Sequence, residues 1–479
     1  MKYATSAALR EKVYRAHITR ASEHGLGGDN APVISKILKL RAEKAALLGY
    51  SSFAELSLAK KMATLESAHN LMEDLRSASM DAAKAEHEEL EKYAGKRLEL
   101  WDTAFYAERL KQEKFSYDEE TVRQYLSLDN VLQGLFGVIS RLFDVEISER
   151  SPKELGAQVW DGEVRTFEVR REGKACAYFY LDAYTRPGEK KGGAWMRGEK
   201  QRSRALAEPG QEVQLPVAHM VCNQSAPVTN PDGTVTPSLM LFREVETVFH
   251  ECGHALQHML TQVDEGHVSG ISGVEWDAVE QPSLFMEYWA YDVPTLKSMA
   301  KHWKTGESMP DDLIGKIRAA KTYRAAWMMT RQLKFALTDL ALHDAAFVPG
   351  AAGGKTIWDV EREIDAKTSV APSLPEDRFL CGFAHIFAGG YAAGYYSYKW
   401  AEVLSADGFA AFEEGGLEDE AAMRRLGRRY RGTVLAAGGS RPAADVFEDF
   451  RGRAPRADAL LRHHGLTAGD AAVVPQARL

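Results

Sequence analysis

Two histidines one helical turn apart, with a glutamate beside the first, stand out in this 479-residue chain: His250-Glu251-Cys252-Gly253-His254. The run around them, from Phe249 to Leu256, is apolar and compatible with a helix. On a helix, residues i and i+4 are separated by about 400° of rotation, so both imidazoles project from nearly one face and can grip one metal ion. Glu251 lies about 100° round from His250. That is too far for a natural third ligand, but close enough to reach a water in the metal's open position, and the chemistry it suits is that of a general base. Chance yields such a pentapeptide in roughly a few per cent of chains of this size and histidine content. An ordinary amphipathic helix with two histidines is the plain alternative. A third protein ligand would separate the two readings, because catalytic zinc takes three and leaves the fourth position to water.

Downstream of His254 the acidic candidates are Asp264, Glu265, Glu275, Asp277, Glu280 and Glu287. A metzincin pattern is excluded, since Gln257 and Leu260 stand where Gly and His are required. The remaining route is a turn followed by a second helix that returns a carboxylate. Gly266, Gly270 and Gly273 supply the turn, Asp277 can cap, and Pro282 falls in the first turn of the second helix. Glu280 and Glu287 are seven residues apart and share a helix face. Glu280 is the expected third ligand, and Glu287 the expected acceptor of a ligand imidazole N–H, which would fix its tautomer. His258 reads as a neighbouring polar or core histidine, because a fourth protein ligand would close the site.

The elements that must carry these residues are mostly helical. From about 6 to 135 the apolar residues recur at three and four spacing, as in Ala59, Met62, Leu65, Leu71, Met72 and Leu75. The polar stretch 77–100, with Lys84, Glu86, Glu88, Glu89, Glu91 and Lys92, reads as an exposed helix laced with ion pairs. His69 and His87 stand alone, without ligand spacing. Short strands are expected at Val159-Trp160, at 165–170 and at 175–182, with a turn at Gly173 and a loop through Pro187-Gly188 and Gly192-Gly193 to Ala194-Trp195. A further strand over 214–223 contains Pro216, which favours an edge. An edge strand there could pair with an extended peptide or simply be sheet. After Asn230-Pro231-Asp232-Gly233 helix signals resume nearly to the end, broken by a loop at 349–354. The fold class is therefore mainly α with a small β-sheet.

Composition narrows the function classes. With 45% hydrophobic residues over 479, the chain can bury more than one core. A net charge of −8 offers nucleic acid or anionic membrane no general attraction, so neither is an expected partner. The one basic cluster, Arg424, Arg425, Arg428, Arg429 and Arg431, has helical spacing among acids and reads as a solvated face. Four scattered cysteines, Cys176, Cys222, Cys252 and Cys381, fit a reducing compartment. The first residues lack a signal-peptide core and no apolar run approaches a membrane span, so a soluble, cytoplasmic protein is expected.

The metal motif, together with Val274-Glu275-Trp276-Asp277-Ala278-Val279-Glu280-Gln281-Pro282-Ser283 and Met286-Glu287, resembles the thimet oligopeptidase family of zinc metallopeptidases, above all its bacterial oligopeptidase A branch. Phe179-Tyr180-Leu181-Asp182, Gly192-Gly193-Ala194-Trp195-Met196, the run from His385 to Tyr398, and Asp449-Phe450-Arg451-Gly452-Arg453 resemble the same branch. The resemblance runs nearly the whole length of the chain. It implies a gluzincin-type metallopeptidase with two largely helical lobes around a substrate channel. It also implies one Zn2+ per chain on His250, His254 and Glu280, with Glu251 as general base. Short unstructured peptides are the implied substrates, cleaved at internal bonds. By the same matching, His385 and Tyr398 are implied catalytic residues, and Tyr391, Tyr395, Gly389 and Gly390 implied substrate-binding residues. Glycines let such a loop bend, and phenol or imidazole donors suit an oxyanion.

The expected organisation is a helical region over 1–135, a catalytic region with the small sheet and the H-E-x-x-H helices over 136–348, and a helical region with the Gly/Tyr loop over 349–479. Two departures accompany the resemblance. Cys252 stands where the family usually has Phe, and reads as an apolar filler or an oxidation-sensitive thiol. Relative to the family's usual length, a domain-sized N-terminal helical portion is absent. That predicts a more open site, or a partner chain or dimer that supplies the missing wall. The rival class is a truncated, non-catalytic peptide-binding or scaffold relative.

Overall fold

In the computed structural model, the described residues are 1–25, 27–115, 118–351 and 353–466. The end of the expected third region, 467–479, lies outside them, as do residues 26 and 116–117 of the N-terminal helical run and 352 of the loop at 349–354. The chain folds into two compact units, each assembled from separate stretches. One comprises 1–116, 319–403 and 456–479; the other comprises 117–318 and 404–455. Among the described residues, every strand lies in the second unit, and no helix is long and apolar enough to cross a membrane.

In the first unit, the Leu65–Ala94 helix begins at a capping box between Thr64 and Ser67 and ends at Gly95, whose φ of 66° only glycine adopts at little cost. The stretch 77–94, expected as an exposed helix, continues this one, and Ser79, Ala83 and Leu90 remain buried along it. It packs on the Ala325–His343 helix. Glu86 is not a surface acid: its carboxylate accepts the backbone N–H of Ala326 at 3.2 Å and of Trp327 at 2.8 Å. A charge from a neighbouring helix thus satisfies donors that every helix start leaves orphaned.

The second unit holds a five-stranded sheet made of β1 (Glu146–Arg150), β2 (Arg165–Arg171), β3 (Lys174–Tyr184), β4 (Trp195–Lys200) and β5 (Val217–Gln224), in the order β1-β2-β3-β5-β4. Glu172 and Gly173, both at positive φ, close the β2–β3 hairpin, as two-residue turns of matching twist require. β3 pairs with β5 in parallel, and the other pairs are antiparallel. Two expectations change. Val159-Trp160 is not a strand. The strand after Pro216 is internal, because the proline precedes the first ladder residue and its missing N–H costs nothing. The edge strands are β1 and, beside β5, β4.

One face of the sheet is covered by the Phe242–Met259 helix, which lies against β5 and β4. Val245, Val248, Phe249, Cys252, Ala255, Leu256 and Met259 form its buried stripe at three and four spacing. Its Val, Phe, Leu and Met side chains each contribute about 1.5–3 kcal/mol when fully buried. The Glu420–Tyr430 helix of this unit carries Arg424, Arg425, Arg428 and Arg429 on a solvated face, with Arg424 paired to Glu420 and Arg428 to Asp144, whereas Arg431 follows the helix, is largely covered and donates to the Phe143 carbonyl.

Candidate metal centre

The Phe242–Met259 helix presents His250 and His254 from one side, ring centroids 5.0 Å apart and nearly perpendicular. The Gln281–Ala290 helix returns the carboxylate. Its N-cap position is Glu280 itself, whose side chain makes no cap bond; Asp277 lies buried upstream. Glu280 Oε2 is 3.3 Å from His250 Nε2 and 3.1 Å from His254 Nε2. The two helices can approach this closely because residue 253 is glycine. A Cβ there would stand 2.4 Å from the Pro282 carbonyl oxygen and 2.5 Å from the Ser283 Cα, closer than atoms tolerate.

Two imidazole nitrogens and one carboxylate oxygen thus lie within 4.8 Å of one another, a set that could hold a metal ion. Their electrostatics fit a cation. Burial works against charge on His250, yet hydrogen bonds and attraction from Glu280 and Glu287 outweigh it and raise the imidazole to about 10. Burial would raise Glu280 too, but its bonds to His250 and His254 hold the carboxyl well below its ordinary value. A positive charge is favoured between these groups, and a divalent ion supplies it where protons otherwise must. Of the other acids considered, Asp264 pairs with Arg202 and Arg204, and Glu275 accepts the Ala443 N–H.

Around this set, Glu287 Oε1 accepts the His250 Nδ1 proton at 2.6 Å, which leaves Nε2 turned to Glu280. Ser283 was missed by sequence reasoning; its hydroxyl lies 3.1 Å from Glu280 Oε2 and 2.9 Å from the Glu280 carbonyl. Glu251 is buried, and its Oε2 has no hydrogen-bond partner among the described residues. Burial raises its carboxyl above the ordinary value, in the direction a general base needs. Cys252 is fully enclosed and its thiol is pushed far up by burial, so it packs as a small apolar residue and not as a reactive thiolate. His258 is wedged where a Cβ at Gly198 or Gly270 would come within 2.5 and 2.7 Å of its ring. It donates to the Lys200 carbonyl at 2.8 Å and is a core histidine.

The remaining residues singled out in the sequence gather in the first unit. His385 sits on the short Ala384–Phe387 helix, Tyr398 at the start of the Ser397–Gly415 helix, and Gly389, Gly390, Tyr391 and Tyr395 between them. Gly389 turns against the His385 carbonyl, 2.8 Å from where a Cβ would be. The rings of Tyr391 and Tyr398 stack at 4.8 Å, and His385 lies edge-on to Tyr391 and Tyr395. Tyr395 is the most enclosed of the three. Its ring packs on Phe335 and Phe383, its hydroxyl donates to Gln332, and burial pushes the phenol up to about 12.

Asp339 holds this loop, and sequence reasoning passed over it. Its fully buried carboxylate accepts the backbone N–H groups of Ala393, Gly394 and Tyr395 at 2.8–2.9 Å, with Ala393 at a φ of 47°. Ser57 and Lys61 donate to the carbonyls of the same turn. The available signal was one acid inside the apolar run Phe335-Ala336-Leu337-Thr338-Asp339-Leu340.

The chain is 53% identical to the organellar oligopeptidase A, chloroplastic/mitochondrial, of Arabidopsis thaliana, over 98% of this chain and 59% of that protein. It is 52% identical to a probable cytosolic oligopeptidase A of the same plant, over 66% of that protein, and 41% identical to oligopeptidase A of Escherichia coli (strain K12), over 67%. The chain therefore spans less than two thirds of the two plant relatives. A solved structure described as PZ peptidase A with inhibitor 2 superposes on 96% of this chain and 67% of its own with a TM-score of 0.56. At 14% identity that likeness bears on the fold alone. Residues 1–466 match the family model throughout, and the chain belongs to peptidase family M3.

Proposed function

We propose that this chain is a zinc-dependent oligopeptidase that hydrolyses internal bonds of short, unstructured peptides. The observation that carries the reading is the convergence of His250, His254 and Glu280 beside the buried carboxylate of Glu251. Two nitrogens and one oxygen suit zinc, with three protein donors as catalytic sites use. Zinc bound there supplies Lewis acidity, which makes water a nucleophile near neutral pH and polarises the scissile carbonyl.

The chain's own groups do the rest. Glu251 takes the proton of the attacking water on its carboxylate and passes it to the departing amine nitrogen. Glu287 holds the His250 ring by its Nδ1–H, so that Nε2 keeps its aim. Tyr398 and His385 are assigned the oxyanion donors, and Tyr391, Tyr395, Gly389 and Gly390 the contacts to substrate. The free edge of β4 offers backbone groups to an extended peptide, which gives affinity with little side-chain selectivity. All four cysteines are free, which supports a cytoplasmic or otherwise reducing location.

Glu251→Gln is the test. The variant should bind zinc with unchanged stoichiometry and lose about 10²- to 10⁴-fold in kcat on a short peptide. Undiminished turnover would overturn the reading. Tight peptide binding by the zinc-loaded wild type without any cleavage would favour a non-catalytic binder instead.

A further inference from the structure

The face of the sheet turned away from the Phe242–Met259 helix carries a cavity of ≈ 840 Å³ that the proposed chemistry does not use. Its wall is aromatic. Tyr180 and His219 are cross-strand partners on β3 and β5 with ring centroids 4.8 Å apart, and Trp160 lies over both, 5.7 Å from Tyr180 and 5.0 Å from His219. Trp160 is half exposed, at 50%, yet it is fixed. Its indole N–H donates to Asp182 Oδ2 at 3.0 Å, and the Asp182 carboxylate is itself held by Arg186 and Lys190 at 2.7–2.9 Å. Burial would raise that carboxyl, but these donors hold it down to about 2, so the anchor stays charged across the physiological range. A rigid, buried ion cluster thus orients an indole that remains open to solvent on one side.

The charges lining the cavity favour a cation. Of the charged residues lining it, Glu199, Glu208 and Glu212 stand against Lys200 alone; Arg197, the cross-strand partner of His219, lies outside the lining, 3.9 Å from Glu199. Burial lowers the imidazole of His219, so it adds no positive charge near neutral pH. Aromatic faces with carboxylates nearby attract ammonium and guanidinium groups, whose hydration a flat ring and a few acids can replace. The cavity also adjoins β4, which contributes Glu199 and Lys200 to its lining. A peptide paired along the free edge of β4 would direct alternate side chains to this face.

We infer that the Trp160–Tyr180–His219 cavity is a subsite for a lysine or arginine side chain of a peptide lying along β4. The inference rests on the proposed peptide-binding role only for the direction of approach; the aromatic and acidic lining is independent of it. It makes basic peptides the favoured class, with the basic residue at a fixed distance from the cleaved bond.

The test measures binding in the Glu251→Gln background, where turnover is removed. Two short peptides are titrated that differ only in lysine against norleucine, with the substituted position scanned along the sequence. At one position the lysine peptide should bind about three- to thirtyfold more tightly. Trp160→Ala and, separately, the exposed-loop double variant Glu208→Gln/Glu212→Gln should each shrink that ratio toward one, with the zinc content unchanged. The double variant guards against misfolding, since neither side chain is buried. Equal binding of the two peptides at every position, or a ratio that survives both variants, overturns the inference. Lysine preference without cleavage by the wild type would leave the subsite standing and sink the peptidase reading; cleavage without lysine preference would do the reverse.

Discussion

The two regions to which this chain's chemistry is assigned are built in opposite ways. The metal centre stands on two regular helices, and its donors are aimed by helical period and by one glycine contact between backbones. The Gly/Tyr loop has little regular structure between Phe387 and Ser397, and a single buried carboxylate gathers its backbone donors. Rigid elements set ligand positions without further help, whereas a loop needs a side chain from elsewhere to over-determine its path. The two regions should therefore fail differently when their supports are removed.

The largest effect is expected from Asp339→Ala. The backbone N–H groups of Ala393 and Tyr395 would be left buried and unpaired, costing about 2–6 kcal/mol, and that of Gly394 would keep only the Tyr391 carbonyl. Denaturant titration reads the loss, and zinc stoichiometry should stay intact while KM for a short peptide rises. Loss of the metal in this variant would erase the distinction between the two regions. Gly253→Ala comes next. A helix-interior alanine gains about 1 kcal/mol of propensity over glycine, but forcing the helices apart costs about 1–3 kcal/mol, so the net change should be destabilising and zinc should bind more weakly. Competition with a chelator measures it, and unaltered zinc affinity would show that the glycine contact does not aim Glu280. Glu287→Gln keeps the shape but weakens the hold on the His250 ring, and should lower zinc affinity about 10- to 100-fold. Ser283→Ala removes one hydroxyl beside the Glu280 carboxylate, a change of about 0.5–1.5 kcal/mol, and should be the smallest shift in the same chelator assay.

The contrast also explains what could be read from residues alone. The i, i+4 spacing of His250 and His254 and the seven-residue spacing of Glu280 and Glu287 survive folding because helices preserve period. Fold class followed from the same periodicities. Misreadings arose where a tertiary partner decided the outcome. Glu86 looked like one more surface acid until a neighbouring helix start needed a cap. Pro216 pointed to an edge, but one residue of register outside the ladder removed its effect. Asp339 and Ser283 carry no spacing signal, since what each satisfies is brought to it by other parts of the backbone. The interleaving of the two compact units had no local mark at all, because each boundary depends on which distant stretch returns to pack.

The missing side chain at position 253 sets a condition on transplanting this centre. Copying His250-Glu251-x-x-His254 onto another amphipathic helix would move two nitrogens and a base, yet leave the oxygen donor behind. The recipient would need a second helix lying almost in backbone contact, so the portable unit is a helix crossing with a hole in its seam, and a five-letter motif transferred without that crossing should bind zinc only weakly.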